Sequence, residues 1–304
     1  MFGRKKIREI SPEELRHFMS ESREENYVLV DVRQPHEYRE EHLPGAQLIP
    51  VSDLEARIPS LKPTQDYIFY CRSGARSMAA ALMASDSQFL QGAIMSLQGG
   101  LLAWDGGSVA HMPRVNVFSG VSGIRDLLLR ALELEKAAHV LYREVRAAAQ
   151  RDAMCELMDT LIKVEEAHAK VVYRYLRKYW GDDVASLPPF EILFEQLEGK
   201  VLEGGLTVED LGPWVKNAST GDCLELADLA LEVELNAYDL YRTLAQQAVQ
   251  GGVPDANLGT DAEPVFLDLA VQEKHHARLI MGKMASFEAV PPGEKPDATC
   301  NGTA

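Results

Sequence analysis

The chain has 304 residues, and at roughly 100–200 residues per domain that length calls for two globular units. Hydrophobic residues make up 46% and charged residues 25%, with 22 Gly and 15 Pro, a balance that excludes wholesale disorder and fibrous classes. Lys and Arg number 31 against 46 Asp and Glu, for a formal charge of -15; so acidic a surface repels phosphate backbones and speaks against a nucleic-acid partner.

The basic run Arg4, Lys5, Lys6 reads as a solvated tail. It leads into Ser11-Pro12-Glu13-Glu14, a helix start with an N-cap, a Pro at the first helical position and an acidic first turn, rather than into an apolar signal core. Tyr27 to Val32 and Tyr67 to Tyr70 are short β-branched or aromatic runs of the kind that form buried strands. A helical stretch from Ser77 to Met83 follows the second. Strands alternating with helices predict an α/β domain with a parallel sheet over residues 1–110. Residues 111–122 hold Pro113 and no sustained period and predict a linker. Residues 123–288 read as long amphipathic helices, an all-α four-helix bundle, and residues 289–304 as a flexible tail. Residues 1–118 carry 13 basic and 15 acidic side chains and the remainder 18 and 31, so the excess negative charge sits in the helical part. No stretch approaches the roughly 20 apolar residues of a membrane span. A soluble, cytoplasmic protein without a membrane partner is expected.

Four cysteines, Cys71, Cys155, Cys223 and Cys300, stand far apart with no CxxC pair, which points to neither a zinc ribbon nor a disulfide framework. Cys71 differs from the others in its setting. It ends the second predicted strand and opens the loop Arg72-Ser73-Gly74-Ala75-Arg76 before a helix. In parallel sheets ligands bind beyond the carboxyl ends of strands. A loop of free backbone N–H groups at a helix N-terminus, with Arg72 and Arg76 close by, lowers a thiol pKa and stabilises a thiolate or a persulfide.

Residues of about 10–107 resemble a single-domain rhodanese, through LVDVRQPHEY (29–38), EEHLPGAQLIPV (40–51), YCRSGARS (70–77) and LQGGLLAW (97–104). The resemblance implies a sulfurtransferase in which Cys71 carries a covalent persulfide, the amides of residues 72–76 cradle it, and Asp31 and Arg33 brace the site. Its partners are then a small-molecule sulfur donor and a thiol or cyanide acceptor. Related phosphatases place Arg after five intervening residues, whereas Arg76 follows Cys71 after four; the smaller cradle suits one sulfur atom rather than a tetrahedral oxyanion.

The helical part carries carboxylates where apolar residues belong. Glu135 stands beside the seam of Leu127, Ala131, Leu134, Ala138 and Leu141, with Tyr142 seven residues on. Glu165 and His168 are i and i+3 on the next inward face; Glu234, followed by Tyr241, lies in a third stripe, and Glu273 and His276 in a fourth. The order Glu, Tyr, Glu-x-x-His thus occurs twice. Buried carboxylates without cations would neutralise. Four of them with two imidazoles match the dinuclear carboxylate site of ferritin-like bundles. This donor set predicts two iron ions, with manganese or a mixed pair as substitutes, and gives Tyr142 and Tyr241 the role of orienting carboxylates.

These helices resemble the rubrerythrin branch of the ferritin-like family through LEKAAHVLY (134–142), KVEEAHAKVVY (163–173), VELNAYDLY (233–241) and VQEKHHARLI (271–280). The resemblance implies a crossover at about 180–222 joining the two helix pairs, and peroxide or dioxygen reduction in oxidative-stress defence. Rubrerythrins have a further acidic residue one turn after the third-helix Glu, where this chain has Ala237, and often a CxxC iron module that it lacks. An external electron donor is therefore expected, and pairing of bundles suggests a homodimer. The alternative is an iron-binding or storage protein in which the rhodanese part serves as sulfur carrier or docking unit.

Overall fold

The computed structural model describes residues 6–150, 152–217, 223–250 and 262–288. The chain divides into two compact units, one ending at Pro113 and the other starting at Arg114. The first holds strands β1 (Arg8–Ile10), β2 (Tyr27–Asp31), β3 (Gln47–Leu48), β4 (Asp66–Tyr70) and β5 (Ile94–Leu97), with helices α1 (Pro12–Glu21), α2 (Pro35–Glu40), α3 (Leu54–Arg57) and α4 (Ala75–Asp86). The second holds α5 (Ile124–Ala148), α6 (Asp152–Tyr179), α7 (Phe190–Gln196), α8 (Gly212–Asn217), α9 (Cys223–Gln250) and α10 (Ala262–Glu288). Among the described residues no helix is long and apolar enough to cross a membrane.

In the first unit the sheet order is β1-β5-β4-β2-β3, and every pairing is parallel. Such a sheet needs both faces covered, and the alternation of side chains along β2 and β4 provides for it. Val28, Val30, Tyr67 and Phe69 pack with Ala80, Ala81 and Ala84 of α4 and with Leu54 of α3. Tyr27, Leu29, Ile68 and Tyr70 pack on the opposite face with Leu15 of α1 and Tyr38 of α2. Fully burying a side chain of this size stabilises by about 1.5–3 kcal/mol, so these alternating rows fix the register. At the start of α1, Ser11 Oγ accepts from the Glu14 amide at 3.1 Å and the Glu14 carboxylate accepts from the Ser11 amide at 2.9 Å, a reciprocal cap.

In the second unit α5 packs chiefly on α6, and α9 on α10. The apolar core is in two pieces. One contains Leu127 to Leu134 of α5, Ala169 to Leu176 of α6, Ala237 to Ala245 of α9 and Ala262 to Ala270 of α10. The other contains Ala137 to Val145, Met154 to Leu161, Cys223 to Val233 and Ile280 of the same four helices. The residues left between the two pieces are Glu135, Glu165, His168, Glu234, Glu273 and His276, all buried. They form a polar layer across the middle of the bundle.

One expectation about boundaries changes. The stretch 111–122 is no free linker: Phe118 and Val121 are buried in the apolar core of the helical unit, because a short 3-10 turn at Val115–Phe118 folds them onto it. The crossover lies where expected, between Tyr179 of α6 and Cys223 of α9, and carries α7, α8 and an isolated bridge between Val201 and Thr207. The tail at 289–304, with Cys300, lies outside the described residues.

Candidate functional sites

Cys71 follows β4 directly, and its loop runs into α4, whose N-cap is Gly74 at φ +100, a conformation that strains any residue with a Cβ. Behind the loop Gly99 and Gly100 turn the chain closely enough for the amides of Leu101 and Leu102 to donate to the carbonyls of Cys71 and Arg72 at 2.8 and 3.0 Å. A Cβ on Gly100 would collide with the Cys71 carbonyl, which is why glycine stands there. Cys71 is 1% exposed. The Gly74 amide donates to Sγ at 3.2 Å, and the Ser77 hydroxyl lies 3.7 Å from it. Ser96 Oγ in turn donates to Ser77 Oγ at 3.0 Å. Burial pushes the Cys71 thiol up, but hydrogen bonds from Ser77, through both amide and hydroxyl, and from the amides of Ser73 and Gly74 outweigh it, leaving its pKa below the ordinary thiol range.

Of the two arginines expected to lower the thiol pKa, Arg76 interacts electrostatically with Cys71. Arg72 is exposed on the loop. Arg76 is clamped by Glu37 of α2 through two bonds of 2.7 Å. The hydrogen bonds that stabilise the thiolate come from amides and one hydroxyl, and the cradle includes Ser77, one position beyond the expected 72–76 span; Ala75 opens α4 and is exposed. Asp31 and Arg33 stand where expected. The Asp31 carboxylate accepts from the Arg33 amide at 2.9 Å and from its guanidinium at 2.7–3.0 Å, and the guanidinium also donates to the Glu41 carbonyl at 2.6 Å. This pair ties β2 to the segment after α2.

The Glu37–Arg76 clamp carries a pH signature. The hydrogen bond from Arg76 holds the Glu37 carboxyl at about 2 against its ordinary 4.5. A depressed carboxyl contributes stability that is full above 4.5 and is lost as pH falls towards 2. With Arg76 partly in solvent, the contribution is on the order of 1–2 kcal/mol. Glu37→Gln is expected to lower the Tm at pH 7 and to flatten its decline between pH 4.5 and 2, measured by thermal melts across that window.

In the helical unit the six side chains read from the seams converge. His168 Nδ1 lies 2.9 Å from Glu135 Oε2 and 3.0 Å from Glu273 Oε1. His276 Nδ1 lies 3.1 Å from Glu165 Oε1, 3.0 Å from Glu234 Oε2 and 3.4 Å from Glu273 Oε2. Glu273 thus faces both imidazoles, one oxygen to each. Three overlapping groups, Glu165–His168–His276, Glu135–His168–Glu273 and Glu234–Glu273–His276, each bring their ligand atoms within 4.8 Å of one another. The tyrosines cross between helix pairs: Tyr142 of α5 donates to Glu234 of α9, and Tyr241 of α9 donates to Glu135 of α5 at 3.3 Å. His139 lies apart, edge-on to Phe194, and His275 is exposed.

The chemistry of this layer fits metal ions. Glu165 Oε1, Glu273 Oε1 and both ring nitrogens of His168 are buried without a hydrogen-bond partner, although carboxylate oxygens approach His168 Nδ1 to 3.0 Å or less. Donor atoms that crowd without bonding are placed as ligands of one ion are: two ligands at right angles, each about 2.1 Å from a metal, stand about 3 Å apart. Without a cation the charges redistribute. Burial raises Glu135 to about 7 and Glu234 to about 8. Burial would lower the imidazoles, but the carboxylates beside them raise His168 and His276 well above their usual range. Glu273, which burial would raise, is held low by the two imidazoles.

Three participants were not read from the sequence. Glu37 and Ser96 reach the Cys71 loop from far along the chain, and no local pattern announces such pairs. Glu203, from the crossover, is 3% exposed; a lone acid in an aperiodic segment gives no periodic signal, and only the apolar Val201, Leu202 and Leu206 around it hint at burial.

Comparison with known proteins places the first unit. Residues 11–106 match the rhodanese-like domain family. A protein of Allochromatium vinosum named Sulfurtransferase is 32% identical over 98 residues, which cover 32% of this chain and 88% of that protein. YtwF of Bacillus subtilis, provisionally named a sulfurtransferase, is 35% identical over 100 residues, 33% of this chain and 92% of its own. A rhodanese-like domain protein of Staphylococcus aureus with a solved structure is 27% identical, at a TM-score of 0.30, covering 34% of this chain and 97% of that one. The family match ends at residue 106, before the helical unit begins.

Proposed function

Through residues 11–106 the chain belongs to the rhodanese-like family, and from that premise we propose a two-site enzyme, with sulfane-sulfur transfer on Cys71 and peroxide or dioxygen reduction at a dinuclear iron centre. The first reading is carried by a buried thiol whose pKa is depressed by the amides and hydroxyl of its own loop. The second is carried by six buried side chains from four helices meeting in one layer.

In sulfur transfer the Cys71 thiolate attacks the outer sulfur of a donor such as thiosulfate. The S–S bond of the donor breaks, sulfite leaves, and the outer sulfur remains on Cys71 as a persulfide anion. The amides of Ser73 and Gly74 and the Ser77 hydroxyl hold that negative charge. A thiolate or cyanide then attacks the terminal sulfur, and Cys71 departs as thiolate, which the same donors stabilise.

In the helical unit Glu135, Glu165, His168, Glu234, Glu273 and His276 would hold two ions, iron by the donor set, with manganese or a mixed pair as substitutes. When bound, such a pair supplies the electrons that peroxide or dioxygen reduction consumes. Glu273 offers one oxygen towards each imidazole. Tyr142 and Tyr241 donate to Glu234 and Glu135 and fix the orientation of both carboxylates. The apolar layers above and below exclude bulk water. An external reductant completes the cycle.

Metal analysis of anaerobically prepared protein, together with thiosulfate-to-cyanide transfer and peroxide consumption under a supplied reductant, tests both halves. Two iron equivalents with peroxide turnover support the reduction reading. Iron uptake without peroxide consumption replaces it with iron sequestration, the sulfur site then serving as carrier or docking unit. No transfer from any sulfane donor removes the first half.

A further inference from the structure

The crossover delivers one more acid to the bundle interior. Residues 201–208 form a tight excursion closed by hydrogen bonds from the Leu202 amide to the Leu206 carbonyl (2.9 Å), from the Gly205 amide to the Leu202 carbonyl (2.7 Å) and from the Val208 amide to the Lys200 carbonyl (2.9 Å). Thr207 and Asp210 cap its far side, the Asp210 carboxylate accepting from the Thr207 amide at 2.9 Å and the Thr207 hydroxyl from the Asp210 amide at 3.0 Å. Leu202 anchors the turn in the apolar core. Gly204 rests over Asn236 of α9, the neighbour of the buried Ala237, one turn after Glu234. Glu203 points inward from this turn and has a carboxylate oxygen, Oε2, without a hydrogen-bond partner. The charges that press on it are those of Glu135, Glu273 and Glu165. It also acts on Tyr241, the donor to Glu135.

An acid buried among acids, with an open oxygen and a rigid turn behind it, calls for a cation. We infer that Glu203 is a fifth carboxylate ligand of the metal centre, on the Glu135–His168–Glu273 side, supplied by the crossover. The inference rests on the dinuclear reading above and extends it to a residue outside the four helices.

The competing role is structural: Glu203 kept neutral and donating a hydrogen bond to a neighbouring carboxylate. Glu203→Gln separates the two, because its amide can still donate but cannot neutralise a cation. The full chain, stripped of metal, is titrated anaerobically with Mn2+ and with Fe2+, following stoichiometry and affinity by calorimetry and the Mn2+ signal by electron paramagnetic resonance. Loss of an outer partner alone weakens a metal by about 10–100-fold, so loss of a direct ligand is expected to weaken one of the two equivalents at least about 100-fold while the other is kept. Two equivalents with wild-type affinity in Glu203→Gln overturn the inference and leave the dinuclear reading standing. No metal uptake by the wild-type chain overturns both. If Glu203→Gln loses metal-free helicity, Glu203→Met, uncharged and of similar volume, is put through the same titration with the same two outcomes.

Discussion

Cys71→Ser is expected to reduce thiosulfate-to-cyanide transfer to the uncatalysed background, leaving the melting of the first unit nearly unchanged. The hydroxyl fits the same cradle, yet an alkoxide is not formed there at neutral pH and cannot hold sulfane sulfur as a persulfide. Ser77→Ala gives the graded companion result. Removing one hydrogen bond to a charged sulfur costs about 1.5 kcal/mol, so the thiol titration should rise by about one unit, read as a shifted pH profile of iodoacetamide alkylation. Transfer at neutral pH should fall about tenfold without being lost. Arg72→Ala should leave that profile in place, since the exposed Arg72 donates nothing to the sulfur. A Cys71→Ser variant with residual transfer would place the sulfur-carrying group elsewhere.

The second large effect belongs to Glu273, whose two oxygens lie 3.0 Å from His168 Nδ1 and 3.4 Å from His276 Nδ1. Glu273→Ala is expected to abolish both metal equivalents, whereas a substitution at Glu135 or Glu234 should weaken one side first. In the metal-free state His168 keeps Glu135, and His276 keeps Glu165 and Glu234, so the melting of the variant should change far less than its metal uptake. Wild-type protein supplies the reference. At metal concentrations about 100 times the dissociation constant, binding stabilises by about 2.7 kcal/mol, so chelation should lower the Tm of the helical unit by about 5–10 °C. Retention of two equivalents by Glu273→Ala would remove this residue from the centre.

What the chain declares in advance depends on periodicity. β2 and β4 were legible as runs of apolar residues, and the six layer residues because an acid or imidazole interrupts a heptad-like stripe at a defined step. β3 is two residues long and β1 buries only Ile10 of its three, so neither shows a pattern. The linker was misread because Phe118 and Val121 act singly, as anchors rather than as part of a repeat. The setting of Cys71 was legible from its strand–loop–helix context, but the partner of Arg76 was not: Glu37 is its own helix's third residue, capping the Gln34 amide at 3.1 Å, and nothing local distinguishes that role from the clamp it also makes. Glu203 escaped for the same reason, since a turn has no period to violate.

The exchange of tyrosines between helix pairs constrains how the second unit comes together. The α5–α6 hairpin owns Glu135 and a Glu-x-x-His, and so, by rough twofold repetition, does the α9–α10 hairpin, but each hairpin's lone glutamate is tethered by the phenol of the other. Neither hairpin expressed by itself therefore presents a finished ligand set, and severing the chain between them should yield two metal-poor fragments that recover uptake only on mixing. Metal capture then reports the docking of the two hairpins.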